Sequence, residues 1–492
     1  RTMASEPRKR YLLQQVWGGT RTFEDWRIPE LKSISEMYGV KDWESFYDEK
    51  SYDQNSPFVV VRLSSDDLAR KIGERLVMLK NIHEIWGEGK TFEEAANSAK
   101  AYIQKNKNCA AYMSKGKTFA LRVCGFGRTY SREEQREVLN PFFELGWKGK
   151  ANLSCPDALF YIFTDCGHIA DTKKPPKKVW FCRQITDKTM RYKLHKYSLK
   201  TRPFIGPTST CSELAFLMAN QAQVKAGSVV FDPFVGTASL LVAASHFGAI
   251  CVGNDLDYCL LHSKIHKPKA KKKDLFLNFT HYGFERPEIV CGDSANPPWR
   301  SFEMFDSIIC DPPYGVRAGA RKSGSRAALR GRKINPVDVW KHGVKHIPSS
   351  IPYPVEELME DLMDFAGKYL AIKGRIVFLL PTVGEFKINT IPQHPCLEFV
   401  AQSAQTLTGG FHRRCITFKK TKIHKPGLVC KRRDKATEPP PAFADVKNQI
   451  FSGKSSSVED SGDTKATDTK PSSVHVGEGK EQPASKKRKC NS

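Results

Sequence analysis

From about residue 202 onward the chain alternates short apolar runs with helical patterns, and four consecutive apolar runs each lead into an aspartate. The runs at 228–231, 249–253, 288–291 and 305–310 are too short for buried helices and predict strands. They lead into Asp232, Asp255, Asp293 and Asp311. Helices are expected at 210–223, where Thr210 and Glu213 have capping-box spacing, at 237–247 and near 274–282. Pro354 opens a further helix with Val355, Leu358, Met359, Leu362, Phe365 and Tyr369 on one face. A fifth strand is predicted at 375–380, and 397–407 with 414–418 read as a closing antiparallel pair. Such alternation specifies a largely parallel sheet covered by helices on both faces. Ligands bind such sheets at the carboxyl ends of the strands. One Asp at a strand end is an ordinary turn residue. Four in register make an acidic rim.

The fourth strand ends in Asp311-Pro312-Pro313-Tyr314. Two prolines fix φ and donate no N–H, so their carbonyls are free for a ligand. A carboxylate, a free carbonyl and an aromatic face thus meet at one strand end. That set suits transfer to a planar exocyclic amine, whose lone pair is delocalised into its ring. Asp311 and the Pro312 carbonyl can accept the two amine hydrogens, and Tyr314 can stack on the base.

The first strand ends in Asp232-Pro233-Phe234-Val235-Gly236-Thr237, directly before a helix. Gly236 admits a ligand to the backbone, and the helix N-terminus favours a carboxylate. Asp255 is placed for two ribose hydroxyls. Asp293, followed by Ser294, is placed to accept from an adenine amino group. The full Gly-x-Gly-x-x-Gly phosphate cradle is absent. An acidic rim without that cradle fits a cationic sulfonium with a free amino group better than a pyrophosphate. S-Adenosylmethionine is therefore the expected cofactor, with Asp232 on its amino group.

The net charge of +25 calls for a polyanionic partner, most simply nucleic acid, although part of the excess sits in tails. The basic, Gly-rich stretch after the tetrad offers Arg317, Arg321, Lys322, Arg326, Arg330 and Arg332 as RNA contacts. Fourteen cysteines are scattered without a Cys-x-x-Cys pair, so they read as reduced intracellular thiols and no structural metal is expected. Residues 229–253 are apolar, but Asp232, Pro233 and glycines interrupt them, which argues against a membrane span. No signal peptide is visible, and because the chain opens with Arg1 its start is read as a fragment's or as misjudged.

Before residue 170 the pattern is α+β. Strands are expected at 11–17, 58–63, 83–86, 118–124 and 158–164. Pro29 reads as the first residue of a helix carrying Leu31, Ile34 and Tyr38. Ser64/Ser65, Thr91 and Ser131 read as helix caps, the last for a helix to Leu139. Gly87 is expected to end its strand, and Gly125-Phe126-Gly127 to form a turn. Residues 171–203 are rich in Lys and Pro and read as a linker with one strand at 179–182. Residues beyond about 425 read as a disordered basic tail.

Phe204-Ile205-Gly206, the 231–237 motif, Asn254-Asp255-Leu256-Asp257 and the 311–317 motif together resemble the catalytic subunit of eukaryotic tRNA guanosine-2-N-methyltransferase. The resemblance spans about residues 10–420. Pro29-Glu30-Leu31, Ile85-Trp86-Gly87 and residues 121–134 are similar to that family's ferredoxin-like and THUMP modules. It implies a ferredoxin-like module at 1–90, a THUMP-like RNA-binding module at 91–170 and a Rossmann-like methyltransferase domain at 204–420; composition, not the resemblance, gives the linker at 171–203 and the disordered tail at 425–492. The implied activity is N2-methylation of guanosine 10 in tRNA, in the cytoplasm, with a small zinc-binding activator subunit covering an apolar sheet edge. Ala238 departs from the family, where a second glycine is common. The tetrad alone leaves adenine-N6 or another guanine-N2 target open, and a non-catalytic tRNA-binding subunit is the reading from a different class. Lys486-Lys487-Arg488-Lys489 reads equally as a nuclear import signal or a solvated tail.

Overall fold

Val179-Trp180-Phe181-Cys182 is an apolar run between basic flanks, and it lies at the centre of the first of two seven-stranded sheets. The computed structural model describes residues 8–17, 23–47, 49, 52–168, 175–186, 188–257, 261, 274–314, 319–324, 349–383, 386–407 and 411–431. In the first sheet the strands are β1 (Lys9–Gln15), β2 (Phe58–Leu63), β3 (Leu79–Gly89), β4 (Thr118–Phe126), β5 (Lys150–Ala151), β6 (Ala158–Asp165) and β7 (Lys178–Gln184). Their order is β2-β1-β3-β7-β6-β4-β5. Strand β7 therefore joins the two halves, pairing antiparallel with β3 on one side and β6 on the other. Residues 178–184, expected inside a linker, are a buried central strand. The lysines and prolines that suggested a linker flank this strand, and its apolar middle is fully covered.

Strand β3 also runs past Gly87. A Cβ there would lie 2.2 Å from the Ala95 carbonyl, so this glycine marks the close approach of the helix Phe92–Lys105 and not a strand end. The expected caps form: Ser65, Thr91 and Ser131 side chains accept from the backbone three residues on, and Ser131 with Glu134 makes a full capping box. The helix after Ser131 continues to Phe143, past Pro141, because Phe142 is buried in the core. Pro29 is the third residue of the helix Arg27–Met37. It still lies in the first turn, where a missing N–H is harmless.

The second sheet contains β8 (Val229–Asp232), β9 (Ile250–Asp255), β10 (Glu288–Cys291), β11 (Phe305–Cys310), β14 (Leu370–Val383), β15 (Leu397–Thr406) and β16 (Phe411–Lys420). A separate hairpin pairs β12 (Arg321–Ser323) with β13 (Ser350–Pro352). The main order is β10-β9-β8-β11-β14-β16-β15. Only the pairings of β16 are antiparallel. The helices Ser212–Gln221 and Ser239–His246 cover one face, and Val355–Tyr369 covers the other. The chain moves from β8 outward to β10, then returns to β11 on the opposite side of β8. The crevice at the carboxyl ends of β8 and β11 is thus the switch point of the sheet. The capping box expected from Thr210 and Glu213 does not form: the helix begins at Ser212, without a side-chain cap, and Glu213 pairs with Arg191 instead.

Two helices beside the first sheet, Arg27–Met37 and Asp66–Arg75, are bonded directly to the helix Ser212–Gln221 of the second. Glu30 is fully buried and accepts from Val77 N (2.8 Å), Met78 N (3.0 Å) and Asn220 Nδ2 (2.7 Å). Arg75 donates to Asn220 Oδ1 (3.2 Å) and the Val224 carbonyl (2.8 Å), and its guanidinium lies 3.3 Å from the Phe247 ring centroid. Arg375 of β14 donates to Ser33 Oγ (2.9 Å) and the Gln221 carbonyl (2.9 Å), and pairs with Glu36. Among the described residues no helix is long and apolar enough to cross a membrane.

Candidate active site at the strand ends

The registers of the parallel strands bring the acidic residues together. Asp232 pairs with Gly253, Asp255 with Cys291, and Phe231 with Ile308. Asp232, Asp255, Asp293 and Asp311 therefore line one rim, at the ends of four adjacent strands. Asp232 is 1 % exposed, and its Oδ1 accepts from Phe234 N at 3.0 Å. Burial pushes its carboxyl well above the usual carboxylate range, and the charges of Asp255 and Asp311 push it further. Asp255 is raised as well, first by burial.

The loop after β8 is held to β9 by the backbone. Asp255 Oδ2 accepts from Gly236 N (2.9 Å), Asp255 Oδ1 from Asp257 N (2.9 Å), and Val235 N donates to the Asn254 carbonyl (2.9 Å). Gly236 has φ +48°, and two residues later Ala238 has φ +60° and ψ 28°. A glycine at 238 would hold this left-handed conformation without strain. The alanine holds it at a cost of roughly 1–2 kcal/mol.

Thr237, expected beside a cofactor, shares hydrogen bonds with Ser209 Oγ (2.8 Å) and Ser239 Oγ (3.2 Å). It fastens the Gly206–Ser209 turn to the start of the helix. Ser294 Oγ donates to the Pro233 carbonyl (2.8 Å) and stitches the first loop to the third. Asn254, which sequence reasoning noted only as part of a motif, completes that stitch. Its Nδ2 donates to Ser294 Oγ (3.1 Å) and the Gly292 carbonyl (3.1 Å), while its buried Oδ1 has no partner among the described residues. Its position beside Asp255 at a strand end was the available signal.

Asp293 has two backbone partners: Oδ1 accepts from Ala295 N (3.0 Å) and Oδ2 from Ser323 N (2.8 Å) of the β12–β13 hairpin. The same hairpin uses two of the six basic residues. Arg321 donates to Ser350, and Lys322 pairs with Glu357 and lies 5.2 Å from the Tyr353 ring centroid. Arg317, Arg326, Arg330 and Arg332 lie outside the described residues.

In the tetrad Pro312 is buried, while Asp311, Pro313 and Tyr314 are half-buried. Tyr314 packs against both cores of this domain, and its hydroxyl is buried without a hydrogen-bond partner among the described residues. Burial, and next the charge of Asp311, push that hydroxyl well above its ordinary value, so it stays protonated.

These residues fit S-adenosylmethionine. Three neighbouring carboxylates repel one another, and a cationic ligand relieves that repulsion. The lone pairs of Asp255 not taken by backbone remain for hydroxyl donors, Asn254 Oδ1 is unpartnered, and the Gly236 turn leaves open space where a Cβ would stand.

Comparison with known proteins agrees with this architecture. A model described as the Tmrp11 THUMP N-terminal domain matches residues 11–190, and one described as N-6 DNA Methylase matches residues 190–335. The chain is 34% identical over 410 residues to the tRNA (guanine(10)-N(2))-methyltransferase TRMT11 of Xenopus laevis, covering 81% of this chain and 82% of that protein. It is 35% identical over 451 residues to the protein of the same name from Dictyostelium discoideum, covering 85% of each. Among solved structures it is similar to TrmN from Thermus thermophilus, at 14% identity over 84% of this chain and 99% of that one, with a TM-score of 0.38. With a third of its residues identical over more than four-fifths of each sequence, this chain belongs to the tRNA (guanine(10)-N(2))-methyltransferase TRMT11 family.

Proposed function

We propose that this chain transfers a methyl group from S-adenosylmethionine to N2 of guanosine 10 in tRNA. The observation that carries the reading is the acidic rim at the switch point, with Asp311, Pro312, Pro313 and Tyr314 at its centre. When bound, S-adenosylmethionine supplies an electrophilic methyl group on a sulfonium. Asp232 takes the ligand's ammonium, Asp255 its ribose hydroxyls, and Pro233, Phe234, Gly236 and Thr237 form the turn beneath. Asp293 and Ser294 border the adenine side. Asp311 Oδ and the Pro312 carbonyl would accept the hydrogens of the target amine and orient its lone pair, and Asp311 would hold the proton that the amine gives up on methylation. Tyr314, kept neutral, offers its ring to the base and takes no proton. The base must leave its stack to reach this rim.

The first sheet serves as the tRNA-docking region, with residues 1–90 ferredoxin-like and 91–170 THUMP-like, and 204–420 are the catalytic domain. A small zinc-binding activator fits the outer edge of β10, which pairs only with β9 among the described residues and carries half-buried Ile289 and Val290. The reading places the protein in the cytoplasm, with Lys486–Lys489 as the candidate nuclear signal.

The test uses the full chain with its activator, labelled S-adenosylmethionine and tRNA, followed by nucleoside mapping. Label in N2-methylguanosine at position 10 is expected. Asp311→Asn should bind cofactor and tRNA normally and turn over roughly a hundredfold slower or worse in single-turnover assays. No transfer by the parent complex would favour a binding-only subunit. Loss of cofactor binding in Asp311→Asn, or transfer at the parent rate, would make that aspartate structural.

A further inference from the structure

We infer that Arg413 reads the O6 edge of the target guanine and so supplies the base selectivity that the tetrad lacks. The inference rests on the methyltransferase reading above and deepens it. Arg413 lies on β16, opposite Pro381 of β14 and Gln405 of β15. Cys310 of β11 is level with Phe378 of β14, so Pro381 lies three residues further toward the carboxyl end. Arg413 is therefore level with the tetrad and beyond the last paired residue of β11. Cys415, two residues on, is buried in the core that includes Ile309, Leu379 and the helix Ser212–Gln221. Alternation puts Arg413 on that same face, at its open end.

Apart from Lys373, which is exposed near the amino end of β14 and away from the rim, the other lysines and arginines of β14 and β16 are occupied. Arg375 holds Ser33, Gln221 and Glu36; Arg414 donates to Thr382 Oγ1 at 3.0 Å and lies 4.9 Å from the Phe386 ring centroid. Lys419 pairs with Glu36 and Lys420 with Glu303. Arg413 is half-buried and makes no side-chain hydrogen bond or ion pair among the described residues. Burial raises the Tyr314 hydroxyl and the Cys211 thiol, and the Arg413 guanidinium pulls against both, which sets its charge beside the tetrad and the start of the helix Ser212–Gln221.

Guanine carries N2, N1–H and O6 along one edge. With the N2 hydrogens on Asp311 and Pro312, O6 points along the rim and needs a donor. Adenine presented by its N6 amine has no oxygen on that edge. A guanidinium donor is therefore selective where the Asp-Pro-Pro-Tyr acceptors are not.

The experiment compares tRNA bearing guanosine with tRNA bearing 2-aminopurine at the target position, using the full chain with its activator. 2-Aminopurine keeps the N2 amine and lacks O6. The parent should prefer guanosine by about 10- to 100-fold in kcat/KM, and Arg413→Ala should lose about that factor on guanosine while changing little on 2-aminopurine. Arg413→Lys should recover part of the preference. Equal losses on both tRNAs would make Arg413 a phosphate contact and overturn the inference. Weaker S-adenosylmethionine binding by calorimetry would make it a cofactor contact, with the same result. An inactive parent on guanosine tRNA would remove the methyltransferase reading itself and this inference with it. Unchanged melting of each variant keeps these outcomes separate from misfolding.

Discussion

Asp232 gives the cofactor site a pH dependence whose sign follows from its surroundings. It is almost fully buried, and only Phe234 N donates to it among the described residues. Burial, then Asp255 and Asp311, raise its pKa well above the ordinary 3.8. In the cofactor-free chain it therefore holds its proton through a window above that value. The folded state then binds a proton the unfolded state has lost, so this group's contribution to stability is present at low pH and is lost as pH rises through the raised pKa. An ammonium at Asp232 reverses the preference, because it favours the charged carboxylate. Binding must then release up to one proton. Affinity for S-adenosylmethionine should climb by up to about tenfold per pH unit within the window and level off above it.

The assay is titration calorimetry between about pH 5 and pH 6.5, below the range where a free α-amino group loses its own proton. Repeating it in buffers of different ionisation enthalpy counts the released protons. Asp232→Asn should abolish the release and weaken plateau affinity by about 1.5–3 kcal/mol, the worth of a charge-assisted hydrogen bond. It should also raise the melting midpoint of the cofactor-free chain increasingly as pH rises above the ordinary carboxylate range, since it removes a group that must either take up a proton or be buried charged among like charges. Asp255→Asn should weaken binding but keep the proton release, because a hydroxyl partner carries no charge. A flat affinity across this range, with heats independent of buffer, would refute the assignment of Asp232 to the ammonium.

Asp255→Ala should weaken cofactor binding and also loosen the Gly236 turn, because the carboxylate takes that N–H; hydrogen exchange at 233–238 checks the second effect. Asn220→Ala strands Glu30 and Arg75 and should cost roughly 2–3 kcal/mol, read as a lower urea midpoint. Burial pushes the Glu30 carboxyl up to about 7 against its three donors, so its contribution fades as pH rises from about 4.5 to 7, and Glu30→Gln should flatten that decline in urea midpoints. Replacing Arg317, Arg326, Arg330 and Arg332 together should flatten the salt dependence of tRNA binding by up to about one unit of slope per lost phosphate contact. Arg321→Ala and Lys322→Ala should move it less and instead loosen the β12–β13 hairpin, because their side chains already hold Ser350 and Glu357.

The strands of the second sheet were legible because each is a short apolar run ending in a polar turn, and the four aspartates mark the ends directly. What those aspartates do at their other atoms was not legible. Asp293 accepts from Ser323, thirty residues away, and no local pattern announces such a bond. Strand β7 was legible as a strand at 179–182, but its central place was not, since the lysines and prolines at its flanks read as a linker. Gly87 was misread because a missing side chain has two uses, ending a strand or admitting a helix, and only packing separates them. Thr210 and Glu213 have the spacing of a cap, but Arg191 takes the glutamate. The want of a partner at Arg413 is a property of the whole rim and has no sequence signature.

The joint between the two sheets constrains how the site can be used. An apolar contact tolerates sliding, because its energy follows buried area and not direction. Phe23, Trp26, Val77 and Met78 pack into the apolar core of the second domain, and directed bonds are added to that contact. Glu30 collects Val77 N, Met78 N and Asn220 Nδ2; Asn220 Nδ2 also reaches the Arg75 carbonyl at 2.8 Å; Ser33 Oγ donates to the Asn220 carbonyl at 2.7 Å and receives from Arg375. Shifting one helix against the other would take Asn220 from Glu30 and Ser33 and Glu36 from Arg375, at roughly 1–3 kcal/mol for each buried group left short of a partner. The two sheets therefore hold one relative position over any motion cheaper than that. On the proposed reading, RNA docked on the first sheet would reach Asp311 at a set distance, so geometry would choose the nucleotide before any base is read, and Arg413 would act after that choice.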